Sequence, residues 1–244
     1  TAVPSRPAVH DHVAVDPRRC PLAWRELHRS LDVGAEVGIA VSADPDRWPR
    51  RRLHHVVTGA GFAVLDERSN DDRVTLTLRR EHTLADTVGP GMRLLLVGLN
   101  PSPYAAEVGV GFARPGNRAW PALGAAGLAE VDRDPLHLLR HAGIGMTDLV
   151  KRTTATAGEL RAEEFRDGLE RLEVLCDWLQ PTAVCVLGIT GWRAATGARS
   201  ARLGPQTATL GGCPVHVMPN PSGLNAHTDV DDLVRHLRAA TELR

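Results

Sequence analysis

Lysine is almost absent from this chain of 244 residues, because Lys151 is its single lysine and nearly all of the 29 basic residues are arginine. The 29 acidic residues balance them and give a formal net charge of zero. A neutral chain lacks the bulk positive field that indicates a nucleic-acid partner, although a local arginine patch is sufficient for one. Arginine offers planar, bidentate donors to phosphate. We favour the simpler interpretation that the arginine bias reflects genomic base composition.

The four cysteines do not indicate a metal centre or a disulfide framework. Cys176, Cys185 and Cys213 lie in apolar segments, as buried thiols do, and no C-x-x-C pair is present. The spacing suits neither a zinc site nor an iron–sulfur cluster. The sequence also has no secretory signal and no apolar run long enough to span a bilayer. We therefore expect no metal, no cofactor, no membrane partner and a reducing cytoplasmic location, associated with the nucleoid in a bacterium.

Residues 1–84 differ in character from the rest and predict a small α+β appendage. The pattern indicates a helix near 22–31, a strand at 37–41, a helix near 53–57, and strands at 63–65 and 74–78 around a polar turn. The last part of this order resembles the end of a class I methyltransferase fold. It lacks a Gly-rich cofactor loop, so we infer no methyl transfer and favour an accessory module. Residues 83–91 have the composition of a linker.

From residue 85 to residue 244 the pattern alternates strand and helix. Apolar runs predict strands at 94–97, 183–187 and 215–218, and amphipathic periodicity predicts helices near 118–126, 134–140, 163–179, 191–196 and 230–241. Strands separated by helices imply a parallel sheet covered on both faces. The predicted fold is a three-layer α/β/α domain with a central, mainly parallel sheet, preceded by the N-terminal appendage.

Two of the predicted strands end in Asn-Pro turns. Asn100-Pro101 follows the strand at 94–97, and Asn220-Pro221 follows the strand at 215–218. Ligands of open α/β sheets bind at the carboxyl ends of the strands. The two asparagines are therefore expected to form two walls of one cleft.

Four blocks of sequence carry a resemblance to a known family. They are GLNPSPYAA at 98–106, GFARPGNRAW at 111–120, GIGMTDLVKRTT at 143–154 and MPNPSGLNAH at 218–227. In this order and spacing they resemble the mismatch-specific uracil/thymine-DNA glycosylases, a branch of the uracil-DNA glycosylase superfamily, over residues 86–242. The resemblance implies cleavage of a base–sugar bond in DNA.

The resemblance assigns Asn100 the task of holding the attacking water and contacting the base. An amide is not a strong general base, so its contribution is positioning and the rate should be modest. Uracil-strict relatives carry Asp at this position. Taken alone, Asn100 fits equally a turn-forming residue before proline.

The resemblance also implies the residues that bind the base. Phe112 is expected to stack on the base. The alternative is that Phe112 belongs to the hydrophobic core, since the chain has only three phenylalanines. Backbone N–H groups near Leu99 and Phe112 are the expected donors to a pyrimidine carbonyl. Ser102 stands where uracil-strict relatives have Tyr, so its small side chain predicts tolerance for thymine or other 5-substituted pyrimidines. Tyr104 continues this turn, and neither Ser102 nor Tyr104 need touch the ligand.

Asp148 departs from the family pattern, where Lys or Asn is common. Its carboxylate is a candidate for activating water, and the equal alternative is that it caps the segment that follows.

The segment 220–224 resembles the intercalation loop of the family. Flipping a base out of a duplex costs a few kcal/mol, and an apolar wedge offsets part of that cost. Leu224 is the candidate wedge, between Gly223, which lets the backbone approach the opposite base, and Asn225. Asn220 stands where uracil-strict enzymes have a His that stabilises the leaving base, which again predicts a slower enzyme. A family Arg is replaced by Ala226, and His227 is a candidate substitute.

Four basic residues are candidates for phosphate contacts, with solvated surface charge as the alternative. They are Arg114, Arg118, Lys151 and Arg152. Lys151 is not placed as a Schiff-base nucleophile, so lyase activity is not expected.

Taken together, the sequence predicts a monomeric, monofunctional DNA glycosylase. Its substrate is uracil, with thymine as a further candidate, in mismatched double-stranded DNA, and water attacks C1′ of the flipped nucleotide. The alternatives are a weakly catalytic protein that binds lesions or abasic sites, and a nucleoside hydrolase. A wedge at Leu224 argues against the last, because a free nucleoside needs none.

Overall fold

The computed structural model describes residues 7–223 and 228–244. The first part of the chain forms a four-stranded sheet with two helices. Its elements are β1 (Val9–Asp11), α1 (Cys20–Ser30), β2 (Glu36–Ser42), α2 (Arg50–Gly59), β3 (Phe62–Ser69) and β4 (Arg73–Arg80). The strand order is β1-β2-β4-β3, with β1 parallel to β2 and the other pairs antiparallel. An α+β arrangement was predicted here.

The second part of the chain forms a five-stranded sheet. Its elements are β5 (Leu94–Gly98), α3 (Pro103–Val108), α4 (Ala119–Ala125), α5 (Pro135–Ala142), β6 (Ile144–Asp148), α6 (Ala162–Leu179), β7 (Ala183–Leu187), α7 (Ile189–Thr196), β8 (Gly204–Leu210), β9 (Cys213–Met218) and α8 (Val230–Glu242). The order is β6-β5-β7-β9-β8, and every pair is parallel except β8 with β9. The predicted mainly parallel sheet is confirmed. Strands β6 and β8 were not predicted. The edge strand β8 is largely exposed and has no apolar run, and β6 mixes glycine, threonine and aspartate with only two large apolar residues.

Alternate residues of β5 enter different cores, which shows that the sheet is covered on both faces. Leu94 and Leu96 pack with residues of α4, α5 and α8, whereas Leu95 and Val97 pack with residues of α6 and α7. Every residue of β5, β6 and β7 is buried. The three layers expected from the sequence are therefore present.

The N-terminal elements share the core on the α6 side of the sheet. Trp24 on α1 stacks on Trp48 with ring centroids 5.4 Å apart, and Trp48 lies 5.7 Å from Trp178 of α6. Aromatic pairs at these separations attract beyond the area that they bury. The N-terminal elements are thus packed firmly against the helices of the second sheet.

The expected linker at 83–91 proves to be largely buried. Residues 83–89 are all buried, and Thr87 exchanges backbone hydrogen bonds with Met146 of β6 at 2.9 Å in both directions. Its polar composition suggested a surface segment, but its polar side chains have partners inside the protein. Asp86 is the clearest case, because it accepts from Lys151, Arg171 and Thr147.

Candidate active site

The carboxyl ends of β5, β6, β7 and β9 surround a cavity of about 450 Å³. The residues from the sequence motifs that line it are Leu99, Asn100, Ser102, Phe112, Arg114, Asp148 and Asn220. The two Asn-Pro turns therefore form walls of the same cleft, as expected from their positions at strand ends.

Three hydrogen-bond acceptors hold the side chain of Asn100 through its Nδ2. Its Nδ2 donates to Thr154 Oγ1 at 2.8 Å, to the Arg152 carbonyl at 3.1 Å and to the Pro101 carbonyl at 3.2 Å. Carbonyl oxygens accept only, so these contacts fix which end of the amide is the NH₂ group. Within residues 7–223 and 228–244, no donor binds Oδ1, and that oxygen is left to accept a hydrogen bond from a ligand or water.

Phe112 lies on a tightly built loop. Its φ of 58° is in the left-handed region, where a non-glycine residue is held only if its surroundings over-determine it. The Trp120 Nε1 donates to the neighbouring Gly111 carbonyl at 2.8 Å. The ring of Phe112 meets the backbone of β5, since its Cζ would lie 3.2 Å from a Cβ built on Gly98. The ring is half-buried and lines the cavity, as a stacking surface requires.

Asp148 is the last residue of β6 and lies opposite Gly98 of β5. Its side chain is buried and lines the cavity, and its Oδ2 has no hydrogen-bond partner in the described structure. Burial, together with the charge of Asp86, raises the pKa of Asp148 to about 6, although Lys151 and Arg171 oppose that shift. The capping alternative finds no support here, because the N–H groups of Leu149 and Val150 donate to carbonyls at the end of β5 and just beyond it.

Ser102 and Tyr104 have different positions. Ser102 lines the cavity and caps α3, accepting from the Ala105 N–H at 3.2 Å. Tyr104 is 43% exposed and is not among the cavity-lining residues. The structure therefore brings Ser102, but not Tyr104, to the expected base site.

The loop after β9 approaches the loop after Phe112. Asn220 lines the cavity, and its Oδ1 accepts from the Ser222 N–H at 2.9 Å. A Cβ on Gly223 would lie 2.7 Å from the Gly116 carbonyl oxygen, so the approach requires glycine. The expected wedge residues Leu224 and Asn225, with Ala226 and His227, lie outside the described residues.

Arg118 donates hydrogen bonds to backbone carbonyls of the segment that follows β9. Its guanidinium donates to the carbonyls of Ser222, at 2.8 Å, and of Thr228, and its backbone N–H donates to Pro221. Arg114 is exposed at the rim of the cavity, where a phosphate could reach it.

Lys151 and Arg152 are engaged by the protein. Lys151 Nζ lies 2.7 Å from Asp86 Oδ1, with only 9% of its side chain exposed, so the expectation of a phosphate contact there has no geometric support. Arg152 is exposed, but its guanidinium binds Glu164 and the Glu159 carbonyl. A lysine in a polar block of sequence looks like surface charge, whereas Lys151 is buried in the structure.

Three supporting residues were not anticipated. Thr154 anchors Asn100, while Asp86 and the buried Arg171 form an ion pair at 2.8 Å that adjoins Lys151. Thr154 belongs to the GIGMTDLVKRTT block, which was the available signal. Asp86 and Arg171 are separated by 85 positions, and no local pattern links them.

The part of the chain that the structure describes contains no set of three or more His, Cys, Asp or Glu side chains placed to hold a metal ion. Among the same residues, no helix combines the length and apolarity needed to cross a membrane.

Comparison with known proteins identifies the family. One solved structure that is similar is the solution structure of a Methanosarcina acetivorans protein provisionally assigned as a uracil DNA glycosylase. It is 19% identical, and the match covers 65% of this chain and 95% of that one at a TM-score of 0.48. The model of the uracil DNA glycosylase superfamily matches residues 85–242, which include every residue that lines the cavity described above except Leu84. The chain therefore belongs to the uracil DNA glycosylase superfamily, whose members are DNA glycosylases that hydrolyse N-glycosidic bonds.

Proposed function

We propose that this protein is a monofunctional glycosylase that removes uracil from mismatched double-stranded DNA after flipping the nucleotide into the cavity. The observation that carries the proposal is the anchored amide of Asn100. With Nδ2 bound to Thr154 and Arg152, its Oδ1 remains as an acceptor at a cavity that also holds Phe112 and Asn220. That arrangement suits a water molecule directed at C1′ of a nucleotide whose base stacks on Phe112.

Asn100 contributes orientation and does not take up the proton. An amide oxygen accepts a hydrogen bond but is too weak a base to take a proton near neutral pH. The base–sugar bond must therefore be largely broken before water adds, with the charge of the departing base stabilised by donors in the cavity. A slow enzyme with a broad substrate range follows from this chemistry.

The wall at Ser102 supports a pocket that admits a 5-methyl group. Its hydroxyl is turned to the Ala105 N–H of α3 and its side chain is small. Thymine and other 5-substituted pyrimidines are therefore included in the proposed substrates.

Hydrolysis without strand cleavage is supported by the state of Lys151. A lyase step needs a neutral amine that attacks C1′. The Nζ of Lys151 is instead buried against Asp86 and donates to the Leu84 carbonyl at 2.5 Å. Water is thus the nucleophile in the proposed reaction.

The proposed wedge is Leu224, and Arg118 binds the carbonyls of Ser222 before it and of Thr228 after it. Anchored ends reduce the conformational entropy that a segment loses when it enters the base stack. Leu224 would then occupy the space left by the flipped nucleotide.

The test uses duplexes with G·U, A·U and G·T pairs and single-stranded uracil, followed by alkaline cleavage of abasic sites. We expect excision from G·U and a loss of about a hundredfold or more in the Asn100→Ala variant. No product from G·U, or equal cleavage by Asn100→Ala, would show that the proposal is wrong. Tight binding to abasic duplex without excision would favour the alternative of a lesion-binding protein.

The wedge is tested on the same substrates. Leu224→Ala should slow excision from duplex DNA more than from single strands, because only a duplex resists flipping. Val108→Ala, which removes a partly exposed apolar side chain on α3, is the matched control. Equal slowing of both substrates by Leu224→Ala would remove the assigned role.

A further inference from the structure

A second cavity, of about 100 Å³, lies where the N-terminal elements meet α3, and its charged lining is mainly basic. The charged side chains that line it are Arg25 and Arg29 of α1, Arg80 at the end of β4, and Glu107 of α3. Three guanidinium groups face one carboxylate, which leaves an excess of positive charge. This space, called the arginine cavity below, suits a small anion.

The arginines of α1 reach across to the second part of the chain. Arg25 and Arg29 are four positions apart, so they share one face of the helix. Arg25 Nε donates to Thr87 Oγ1 at 3.0 Å. Arg29 Nη1 donates to the carbonyl of Gly109, just after α3, at 3.0 Å. These two contacts fix the guanidinium groups at the boundary between the two parts of the chain.

Most of the donors at the arginine cavity remain available. A guanidinium group has five N–H donors. Arg29 uses one of them, and Arg80 uses its Nε to bind the His28 carbonyl at 3.1 Å. Within residues 7–223 and 228–244, neither Arg29 nor Arg80 forms an ion pair, whereas Arg25 pairs with the exposed Glu26. Like charges four positions apart on a helix repel, so an anion held between them would remove that cost.

Burial makes the positive charge of the arginine cavity costly in the absence of an anion. The side chain of Arg25 is only 6% exposed, and burial lowers its pKa, with the charge of Arg29 acting in the same direction and Glu26 opposing. Burial also lowers the pKa of Arg80, and Asp32 opposes that shift. Guanidinium groups nevertheless stay charged in proteins, so the cavity keeps its charge.

The remaining titratable group in the lining adds no charge near neutral pH. His28 lines the arginine cavity, and its Nε2 lies 3.1 Å from the Glu81 carbonyl. Burial lowers the pKa of His28 to about 4. Anion binding in the cavity should therefore depend on arginine alone between about pH 6 and pH 8.

The arginine cavity adjoins the candidate active site. Leu84 lines both cavities, and of two successive residues in α3, Ala105 lines the active-site cavity and Ala106 the arginine cavity. DNA that places a nucleotide in the first cavity thus brings its backbone close to the second. The three arginines all precede residue 85, where the match to the superfamily begins, so they belong to the N-terminal elements.

We propose that the arginine cavity binds a backbone phosphate of the DNA substrate, which makes the N-terminal elements a second DNA contact beside the active site. The choice of ligand rests on the proposed function, because a glycosylase of duplex DNA must hold the backbone near the nucleotide that it flips. Arg29 and Arg80 supply unused donors, and the buried Arg25 adds a fixed charge. Phosphate oxygens accept guanidinium donors in pairs.

The first test measures binding to a duplex with a tetrahydrofuran abasic analogue, which has no base to excise, at several salt concentrations. We expect the double variant Arg29→Ala/Arg80→Ala to bind at least about tenfold more weakly at low salt. The slope of log K against log salt should fall by about 0.9, which corresponds to one phosphate. An unchanged slope overturns the proposal.

The matched control is the double variant Arg51→Ala/Arg79→Ala. It also removes two positive charges, but each of these exposed arginines already pairs with a glutamate, and Arg79 points to the opposite face of β4 from Arg80. Its affinity and salt slope should match those of the wild type. If both double variants lose the same slope, the effect is one of overall charge and the proposal is overturned.

The second test replaces single phosphates on either side of the abasic analogue by neutral methylphosphonates. The wild type should lose about tenfold in affinity at one position, and Arg29→Ala/Arg80→Ala should lose nothing further there, because its contact is already gone. Each protein is compared with itself on unmodified DNA, so a general loss of affinity in the variant cancels. The same profile in both proteins overturns the proposal.

Inorganic phosphate separates the two sources of the ligand. If the arginine cavity serves a free anion, phosphate raises the Tm of the wild type but not of Arg29→Ala/Arg80→Ala, while the two methylphosphonate profiles agree. That combination overturns the assignment to DNA. The proposed function fails by a different result, the absence of excision from G·U. Excision together with identical methylphosphonate profiles ends only the inference about the arginine cavity.

Discussion

Gly98 and Asp148 are register partners at the ends of β5 and β6, and Asp148 Oδ1 fills the space beside the Gly98 Cα. Gly98 is absent from the glycines with positive φ, so its backbone would accept another residue. The lack of a side chain at Gly98 is what leaves room for Asp148 and Phe112. The glycine of the GLNP turn is thus explained by the carboxyl group and the aromatic ring that lie against it.

Gly98→Ala should displace Asp148 or Phe112, because a Cβ would overlap the carboxylate and lie 3.2 Å from Phe112 Cζ. Overpacking of this kind costs about 1–3 kcal/mol of unfolding free energy. We also expect a clear loss of excision. Chemical denaturation and single-turnover assays measure the two effects.

Gly124→Ala is the matched control for Gly98→Ala. Gly124 lies in α4, and a Cβ added to it would meet nothing within 4 Å. The change should leave excision intact and stabilise the protein by about 0.5–1 kcal/mol, since alanine favours helix. Equal destabilisation at both sites would contradict the steric explanation.

Thr154→Val should slow excision without unfolding the protein. It removes the 2.8 Å acceptor of Asn100 Nδ2, and the amide then loses its strongest anchor. The loss of one hydrogen bond corresponds to about a three- to tenfold lower rate. Thr154→Ser keeps the hydroxyl and should retain the rate. Single-turnover kinetics at saturating enzyme provides the measurement, and equal rates for the two variants would argue against the anchoring role.

Lys151→Met should destabilise the protein strongly, because it leaves the Asp86 carboxylate buried with one cation fewer. Breaking a buried pair costs about 3–5 kcal/mol. Arg51→Ala, which removes an exposed pair with Glu170, should cost at most about 1 kcal/mol. Urea denaturation at neutral pH compares them. Similar small losses in both variants would show that the buried cluster adds little.

The cluster of Asp86, Lys151 and Arg171 also makes the stability of the protein depend on pH. Burial alone would raise the pKa of Asp86, but the charges of Lys151 and Arg171 outweigh it and hold the pKa below its ordinary value. Its contribution to stability is therefore present above the unfolded-state pKa and is lost as pH falls through the folded-state pKa.

Arg118→Ala and Arg114→Ala should separate loop anchoring from phosphate binding. Arg118 binds the carbonyls of Ser222 and Thr228, so its loss should slow duplex excision with little change in the salt dependence of binding. Arg114 lies exposed at the cavity rim. Its loss should lower the slope of log K against log salt by about 0.9 if it contacts one phosphate. Binding titrations at several salt concentrations decide between the two patterns.

Asp148→Asn should stabilise the folded protein at neutral pH. The folded-state pKa of Asp148 is about 6, above the ordinary value of 3.8, so the native state loses stability as pH rises between those values. An amide removes that penalty, which is worth about 2–3 kcal/mol at pH 7 and vanishes below about pH 4. Denaturation of both proteins at the two pH values checks it. A gain that is independent of pH would contradict this origin.

The sequence by itself determined three of the five strands of the second sheet, most of its helices and several members of the cleft. Apolar runs at 94–97, 183–187 and 215–218 predicted buried strands, and the Asn-Pro turns that follow two of them marked the ligand edge. Local periodicity and turn chemistry carry this information, because each depends on neighbours within a few positions. The edge strand β8 escaped prediction because exposure leaves it no such pattern.

Only the tertiary structure decided which charges are buried and which carboxyl group is left without a partner. Lys151 looks like surface charge in the sequence and is enclosed with Asp86 and Arg171, which lie 65 positions before it and 20 after it. The side chain of Asp148 receives no hydrogen bond from Lys151 or Arg171 and lines the cavity instead. In the sequence alone, nothing distinguishes it from the other charged residues. Such assignments depend on which distant side chains share a small volume, and that is settled when the sheet, α6 and the segment at 83–88 pack together.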